Sequence, residues 1–369
     1  MREELFDDFR SIVLQKRPLI DVRAPVEFAK GAFPNTVNLP LMDDEERHLV
    51  GIRYKEEGNE AAVALGHELV SGETKRRRVE AWCEFVRNHP EALLYCFRGG
   101  QRSQISQRWM AEAGCSVPRI KGGYKAFRRY LIEETERSLE RFEPLVLGGR
   151  TGSGKTLLLE RFDAAVDLEG LANHRGSSFG RHITPQPTQI DFENALAYEL
   201  IRKTAKGYRT LLFEDEGKNV GRLYLPQALY ERLAEAPLVL LETPMEERVT
   251  ITFDEYVLRA QAEYEREGFE SPLEAWRDDI QAAIDRIHRR LGGERHKEVS
   301  GMLQRAFEAQ KSGGSPQAHR AWIRYLLENY YDPMYDYQIQ KNASRVVFRG
   351  DAGAVEAYLE SRGLCTTSR

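Results

Sequence analysis

The chain has 369 residues, enough for two or three domains with their own cores. A hydrophobic fraction of 41% and a charged fraction of 30% describe a globular protein with no bilayer-length apolar run, and the start, MREELFDDFR, lacks a signal-peptide pattern. With 54 basic and 58 acidic residues the formal charge is -4, which excludes a uniformly basic nucleic-acid binder and leaves RNA contact to local patches. The four cysteines, Cys83, Cys96, Cys115 and Cys365, form no C-x-x-C pair, and no histidines cluster at metal spacing. That usage predicts a reducing, cytoplasmic setting.

In chain order, residues 1 to about 138 alternate strands and helices. Arg17–Val22 reads as a short buried strand, Pro25–Lys30 as the start of a helix and Asn35–Pro40 as a second strand. Apolar residues at three- and four-residue steps predict helix over 59–87. Ala92–Tyr95 is a strand that delivers Cys96 at its carboxyl end, where open α/β sheets place ligands. The following helix, Gln104–Ala113, stops at Gly114, and Val117–Ile120 makes one more strand before Gly122-Gly123-Tyr124. A charged helix over Ala126–Arg141 leads out.

A second series begins at Pro144–Leu147, followed by a glycine-rich loop and a helix expected through Ala164. Further strands fall at Val166–Leu168, Thr210–Phe213 and Leu238–Leu241, an alternation that predicts a parallel sheet. From Met245 to Tyr331 the pattern is helical and charged, broken at Gly268, Gly292-Gly293 and Ser312–Gly314, and Arg345–Phe348 reads as a strand returning to the sheet. The expected organisation is an α/β domain over 1–138, a parallel-sheet α/β domain over 139–250, a helical region over 251–344, and a returning strand and helix over 345–369.

Two loops carry the chemistry. In the first, Cys96-Phe97-Arg98-Gly99-Gly100-Gln101-Arg102-Ser103, the cysteine must be ionised to act as a nucleophile. Gly99 and Gly100 let backbone amides turn inward, Arg98 and Arg102 bring positive charge, and the helix beginning near Ser103 adds its dipole. The same cradle, with Gln101, would take a tetrahedral oxyanion. Cys83 and Cys115, in apolar surroundings, read as structural thiols.

The second loop, Gly149-Arg150-Thr151-Gly152-Ser153-Gly154-Lys155-Thr156, matches the G-x-x-x-x-G-K-[ST] phosphate cradle of P-loop proteins in full. Its amides would close on phosphate oxygens, Lys155 would offset their charge and Thr156 could hold Mg²⁺. The cradle recognises a diphosphate, so a nucleotide and a prenyl diphosphate both fit. Glu214-Asp215-Glu216 could hold Mg²⁺ or a water, or be a solvated acidic turn. Asn173–Gly180, with Arg175, Ser177 and Ser178, could make a second anion contact or be a simple glycine-rich turn, and His174 and His182 read as surface histidines.

The helical region interleaves Arg259, Arg286, Arg289, Arg290, Arg295, Lys297, Arg305, Arg320 and Arg324 with Trp322, Tyr325, Tyr330 and Tyr331. Such a mixture suits a structured RNA, but the abundance of Glu and Asp in the same stretch favours a solvated helical bundle.

Leu19–Phe28, Cys96–Ser103 and Gly122-Gly123-Tyr124 together resemble a rhodanese-like domain, whose loop cysteine carries a persulfide. Two features depart from many sulfurtransferases. Cys96 and Arg102 enclose five residues, as in cysteine-dependent phosphatases, where Tyr95 would be histidine. Asn35 replaces the usual turn glycine, which asparagine tolerates because it enters the left-handed region readily. Joined to Gly148–Thr156, Ala172–Gly180 and Phe213–Gly217, the rhodanese-like segment resembles the tRNA 2-selenouridine synthase family over nearly the whole chain.

That resemblance implies conversion of 2-thiouridine to 2-selenouridine at the wobble position of tRNAs for Lys, Glu and Gln, in two steps. Geranyl diphosphate alkylates the sulfur, then selenium from selenophosphate displaces the geranyl thiol. It implies a selenium-carrying Cys96 as an S-selanyl intermediate, phosphate contacts from Arg98, Arg102 and the loop amides of Gly99, Gly100, Gln101 and Ser103, and bracing by Asp21 and Arg23. Gly149–Thr156 would take the diphosphate, with Arg175, Ser177, Ser178, Glu214 and Asp215 in support. A selenophosphate-supplying enzyme is an expected partner and a membrane is not. The alternatives are an ATP-dependent phosphotransferase fused to a sulfurtransferase, and a cysteine-dependent phosphatase.

Overall fold

A computed structural model describes residues 4–366 as two compact units. The first holds residues up to Arg141 together with Thr188–Gly207, and the second holds Phe142–Pro187 and the chain from Tyr208.

The strands of the first unit are β1 (Leu5–Phe6), β2 (Leu19–Asp21), β3 (Thr36–Asn38), β4 (Leu93–Tyr95) and β5 (Arg119–Ile120). They form one parallel sheet in the order β1-β5-β4-β2-β3. Leu19, Ile20, Leu93, Leu94 and Tyr95 are fully buried, as expected of parallel strands covered on both faces. The winding reverses between β2 and β4, and the crevice at such a switch point is where α/β sheets bind ligands. Asp21 and Tyr95, the last residues of these two strands, sit opposite each other in register. Asn35 takes φ +59°, the left-handed conformation its side chain was expected to permit.

The helical signal over 59–87 resolves into two helices, Asp44–Leu69 and Gly72–Asn88. The first begins well upstream because Asp43 and Glu46 form a reciprocal capping box, and it breaks at Gly58, where φ is +86°. The helix after Cys96 runs from Gln101 to Glu112, a turn earlier than expected, so Arg102 and Ser103 lie in its first turn. Gly114 ends it in the left-handed region as anticipated.

The helix Gln189–Ala205 lies in the first unit, whereas the sequence places it in a contiguous domain over 139–250. Its buried face explains the difference. Ala197, Tyr198 and Ile201 join Ile12, Phe127 and Leu131 in one apolar cluster. Asp191 accepts the Ala32 N–H at 2.7 Å, and the Asn194 side chain donates to the Ala32 carbonyl at 2.6 Å while accepting from Arg128 at 2.8 Å.

The second unit contains β6 (Glu143–Gly149), β7 (Ala165–Val166), β8 (Thr210–Glu214), the hairpin β9 (Asn219–Val220) and β10 (Leu223–Tyr224), β11 (Leu238–Leu241) and β12 (Val346–Gly350). Its main sheet is parallel, ordered β12-β11-β6-β8-β7, so the expected carboxyl-terminal strand does return to it. The helix behind the phosphate loop is only Lys155–Leu159 and does not reach Ala164. Phe162 and Ala164 turn into the core instead, through N–H bonds from Phe162 to Leu159 and from Ala165 to Phe162.

The charged stretch from Met245 to Lys341 folds as helices that break at the expected glycines. Two wider, π-helical turns, Asp254–Arg259 and Leu327–Tyr331, interrupt it. Trp276, Ile284, Val299, Leu303, Trp322, Tyr330 and Tyr331 fill its core. The last three are therefore packing residues and present no face to an RNA base. Tyr325 donates to Glu298, and Arg324 pairs with Glu246, the ion-paired bundle that the charge balance favours.

Candidate active site

Cys96 leaves β4 at its carboxyl end and is 3% exposed. Its thiol donates to Ser103 Oγ at 3.2 Å, and that hydroxyl donates to the Gly100 carbonyl at 3.0 Å. Ser103 lies in the first turn of the helix Gln101–Glu112, so the sulfur sits beside a helix amino terminus. Backbone bonds from Tyr124 N–H to Cys96 O and from Lys125 N–H to Phe97 O, each 2.9 Å, clamp the loop to the next helix. Gly123 is required for that approach: a Cβ there would lie 2.3 Å from the Cys96 carbonyl. By contrast, burial and its Cys115 neighbour push the Cys83 thiol up to about 12, which suits a structural role.

The two loop arginines separate. Arg98 is exposed, while Arg102 forms a two-pronged pair with Glu27, which also receives Arg47 at 3.4 Å. Burial would raise the Glu27 carboxyl, but the bond from Arg102 overrides it and holds it low. Gln101 is exposed and Gly100 caps the helix.

Asp21 and Arg23 form a buried pair, Nη2 to Oδ2 at 2.6 Å, and Arg23 donates to the Gly31 carbonyl at 2.9 Å. The guanidinium lies 4.0 Å from the centre of the Tyr124 ring, so the pair braces the residue whose N–H holds Cys96 O. Tyr95 is fully buried against Phe33, and burial drives its phenol well above its ordinary value, which leaves it no acid–base role near neutral pH.

In the second unit the phosphate loop connects β6 to Lys155–Leu159. Gly152 has φ +76°, and a Cβ there would lie 2.4 Å from Thr252 Oγ1 and 2.9 Å from the Arg248 carbonyl. Buried Arg248 donates to the Thr151 carbonyl at 2.9 Å and pairs with Asp332, and Thr243 donates to the Ser153 carbonyl. Arg150 pairs with Asp336 across the loop. Lys155 Nζ donates to the Gly149 carbonyl at 3.0 Å, an internal bond that an incoming phosphate would replace. Burial opposes its charge, but Tyr335, Glu169, Glu216 and Glu214 outweigh it and keep the ammonium protonated.

A cavity of about 220 Å³ runs along this loop, lined by Thr151–Thr156 and by Glu169, Arg175, Gly176, Ser177, Glu216, Glu255, Arg259 and Tyr335. Arg175 and Ser177 thus reach the phosphate loop. However, Arg175 is bound to Glu263 at 2.7 Å and Ser177 to the Tyr256 hydroxyl at 2.8 Å, so both act through the wall. Ser178, Glu214 and Asp215 lie outside the lining. Glu214 is fully buried behind it, with Oε2 accepting the Glu169 N–H and Oε1 unpartnered. His174 is also buried, not at the surface, and burial with nearby cations lowers its pKa to about 4.

Of the cavity's charged residues the sequence reading missed Glu169 and Glu255, while Arg259, expected as a possible RNA contact, lines the phosphate-loop cavity. Burial raises Glu169 and Glu216, which also hydrogen-bond each other, so a shared proton reduces their repulsion of a phosphate. Glu216 was already marked in the sequence, in the acidic triplet after β8. Among the described residues no three His, Cys, Asp or Glu side chains are arranged to hold a metal ion. Thr156 lines the cavity, where its hydroxyl could hold Mg²⁺ together with phosphate oxygens.

A buried, helix-capped thiol in one parallel-sheet unit and a lysine-bearing phosphate cradle in the other define a two-domain group-transfer enzyme. A rhodanese-like domain model matches residues 5–130, and the model of the tRNA 2-selenouridine synthase AAA domain matches residues 142–365. The tRNA 2-selenouridine synthase of Sulfurovum sp. is 63% identical over 353 residues, covering 96% of this chain and 97% of the relative. Those of Hydrogenovibrio crunogenus and Cupriavidus pinatubonensis are 52% and 51% identical, covering 96% and 98% of this chain and 98% and 99% of theirs. The chain belongs to the tRNA 2-selenouridine synthase family and is a transferase.

Proposed function

We propose that this enzyme acts on the wobble uridine of tRNAs for Lys, Glu and Gln in the cytoplasm, exchanging the sulfur of 2-thiouridine for selenium in two steps. In the first, the sulfur attacks the first carbon of geranyl diphosphate; the carbon–oxygen bond breaks and diphosphate leaves into Gly149–Thr156. Lys155 offsets its charge, Arg150 and Arg248 hold the loop closed through Asp336 and Asp332, and the N3 proton of the base is released. Where Mg²⁺ takes part, Thr156 would hold it, and it would supply further charge neutralisation.

In the second step the alkylated base exchanges its sulfur for selenium drawn from selenophosphate, and geranyl thiol leaves. Alkylation makes sulfur a leaving group, so it must come first. Exposed Arg98 and the loop amides receive the phosphate half, while Arg102 orders the loop through Glu27. Selenium enters at Cys96. The Cys96 thiolate attacks selenium and the selenium–phosphorus bond breaks with phosphite leaving; once the S-selanyl selenium has bonded to C2, a further thiol attacks the Cys96 sulfur, forming a disulfide and leaving selenide on C2. A selenophosphate-supplying enzyme is the natural partner.

The buried Cys96 sulfur beside the amino terminus of Gln101–Glu112 carries this reading. Tyr95 in the core and Arg102 committed to Glu27 both speak against a phosphatase. The test is nucleoside mass spectrometry of tRNA incubated with protein, geranyl diphosphate and selenophosphate. Cys96→Ser should abolish 2-selenouridine and accumulate the 2-geranylthio nucleoside. Loss of both steps would refute the division between the loops, and an unchanged thiouridine with wild-type protein would sink the proposal.

A further inference from the structure

The first unit contains a cavity of about 550 Å³ whose apolar walls take no part in either loop's chemistry. Its walls include Leu41, Met42, Val50, Val70, Ile105 and Trp109, and all six belong to or pack against the same apolar cluster as Cys96. Gln101 and Arg102, from the first turn of the Cys96 helix, and Glu27, the partner of Arg102, also line it. The cavity therefore opens beside the reactive loop. Its size falls in the range of pockets that enclose a small ligand, and its lining is mostly apolar.

Two further observations show that this is a surface built for an occupant. Ile52 and Tyr54, 39% and 58% exposed, stand on the first half of the helix Asp44–Leu69 and line the cavity, an apolar exposure that isolated packing does not explain. The lining is basic on balance: it holds Arg47, Lys55 and Arg102 with Glu27, the partner of Arg102 and Arg47, as its one acidic residue, which suits a ligand attached to a phosphate backbone.

We propose that this cavity holds the ten-carbon isoprenoid chain of the S-alkylated wobble base while selenium replaces sulfur at C2. The inference rests on the two-step function above and adds a binding site to its second step. The alkylated nucleotide differs from its thiouridine precursor chiefly by that chain, so a pocket for it selects activated tRNA. The chain enters still bonded to sulfur. When the C2–S bond breaks, the electron pair stays on sulfur, which takes a proton, and geranyl thiol is left in the pocket. Selenium forms the new bond to C2 while still carried on Cys96, and the further thiol then cleaves the sulfur–selenium bond, leaving selenide on C2.

The test uses full-length enzyme, selenophosphate and anticodon stem-loops carrying 2-methylthio- or 2-geranylthiouridine. Wild type should selenate the geranyl substrate on the order of a hundredfold more efficiently in kcat/KM, since even single methylenes are discriminated about tenfold in apolar pockets. Val63→Trp, which fills the cavity, and Ile52→Asp, a change at an exposed position, should each lower geranyl selenation at least about tenfold and leave methyl selenation unchanged. Equal wild-type rates on both substrates, or equal losses in Ile52→Asp, overturn the pocket but keep the two-step function. Failure of wild type to selenate either substrate overturns that function, and the pocket with it.

Discussion

His319 shows how one residue ties pH to stability. It is fully buried in the helical region, accepts the Trp322 indole N–H at 2.9 Å and contacts Gln310, and burial lowers its pKa to about 4. The unfolded chain binds a proton near 6.5 that the folded chain refuses, so its contribution to stability is complete above that value and lost as pH falls toward 4. Glu214 and Glu216 shift the opposite way, because their raised folded values favour the protonated native state at lower pH. The expected outcome is therefore a difference: His319→Gln, measured by urea unfolding, should lose less stability between about pH 7 and pH 5 than wild type does. Identical losses would show that His319 does not titrate with unfolding. At this scale the motif residues were readable, since Cys96, Lys155 and their glycines must be what they are for loop geometry. Glu169, Glu255 and the Glu27 partner of Arg102 were not, because nothing in their local spacing marks which carboxylate faces a cavity.

Among the elements, the helix Asp44–Leu69 bends at Gly58, where φ is +86° and no atom lies within 4 Å of an added Cβ. Gly58→Ala thus isolates the backbone cost of the left-handed conformation, and should destabilise the first unit by about 1 kcal/mol without steric clash. A denaturation midpoint equal to wild type would mean that the bend relaxes at no cost. The strands and the glycine breaks of the helical region were legible because their apolar runs and turn residues are local signals. The π-helical turns were not. At Asp254–Arg259 the wider turn places Glu255 and Arg259 on the phosphate-loop cavity and Tyr256 against Ser177. A periodicity of 3.6 cannot foresee that offset, which is held by tertiary contacts. The short helix Lys155–Leu159 has the same cause: Phe162 and Ala164 gain more from core burial than from continuing the helix.

For the whole molecule, the chain passes between the two units after Arg141, Pro187 and Gly207. A fragment of residues 4–141 lacks the helix Gln189–Ala205 and would leave Phe127, Leu131 and Ile12 without their cover. It should aggregate or unfold at lower denaturant than the same fragment with 188–207 added through a flexible linker, as followed by circular dichroism. Equal stability of the two fragments would contradict the assignment of that helix. By itself the sequence determined the class and the two loops: a strand-end thiol loop, a phosphate-cradle motif and two parallel sheets, because backbone conformation and anion binding demand particular residues at adjacent positions. Only the tertiary structure decided that Gln189–Ala205 belongs with the first unit, that Arg102 answers to Glu27, and that an apolar cavity opens beside Cys96. Those depend on burial between segments far apart in the chain, where solvent exclusion is set by packing and leaves no mark on local spacing.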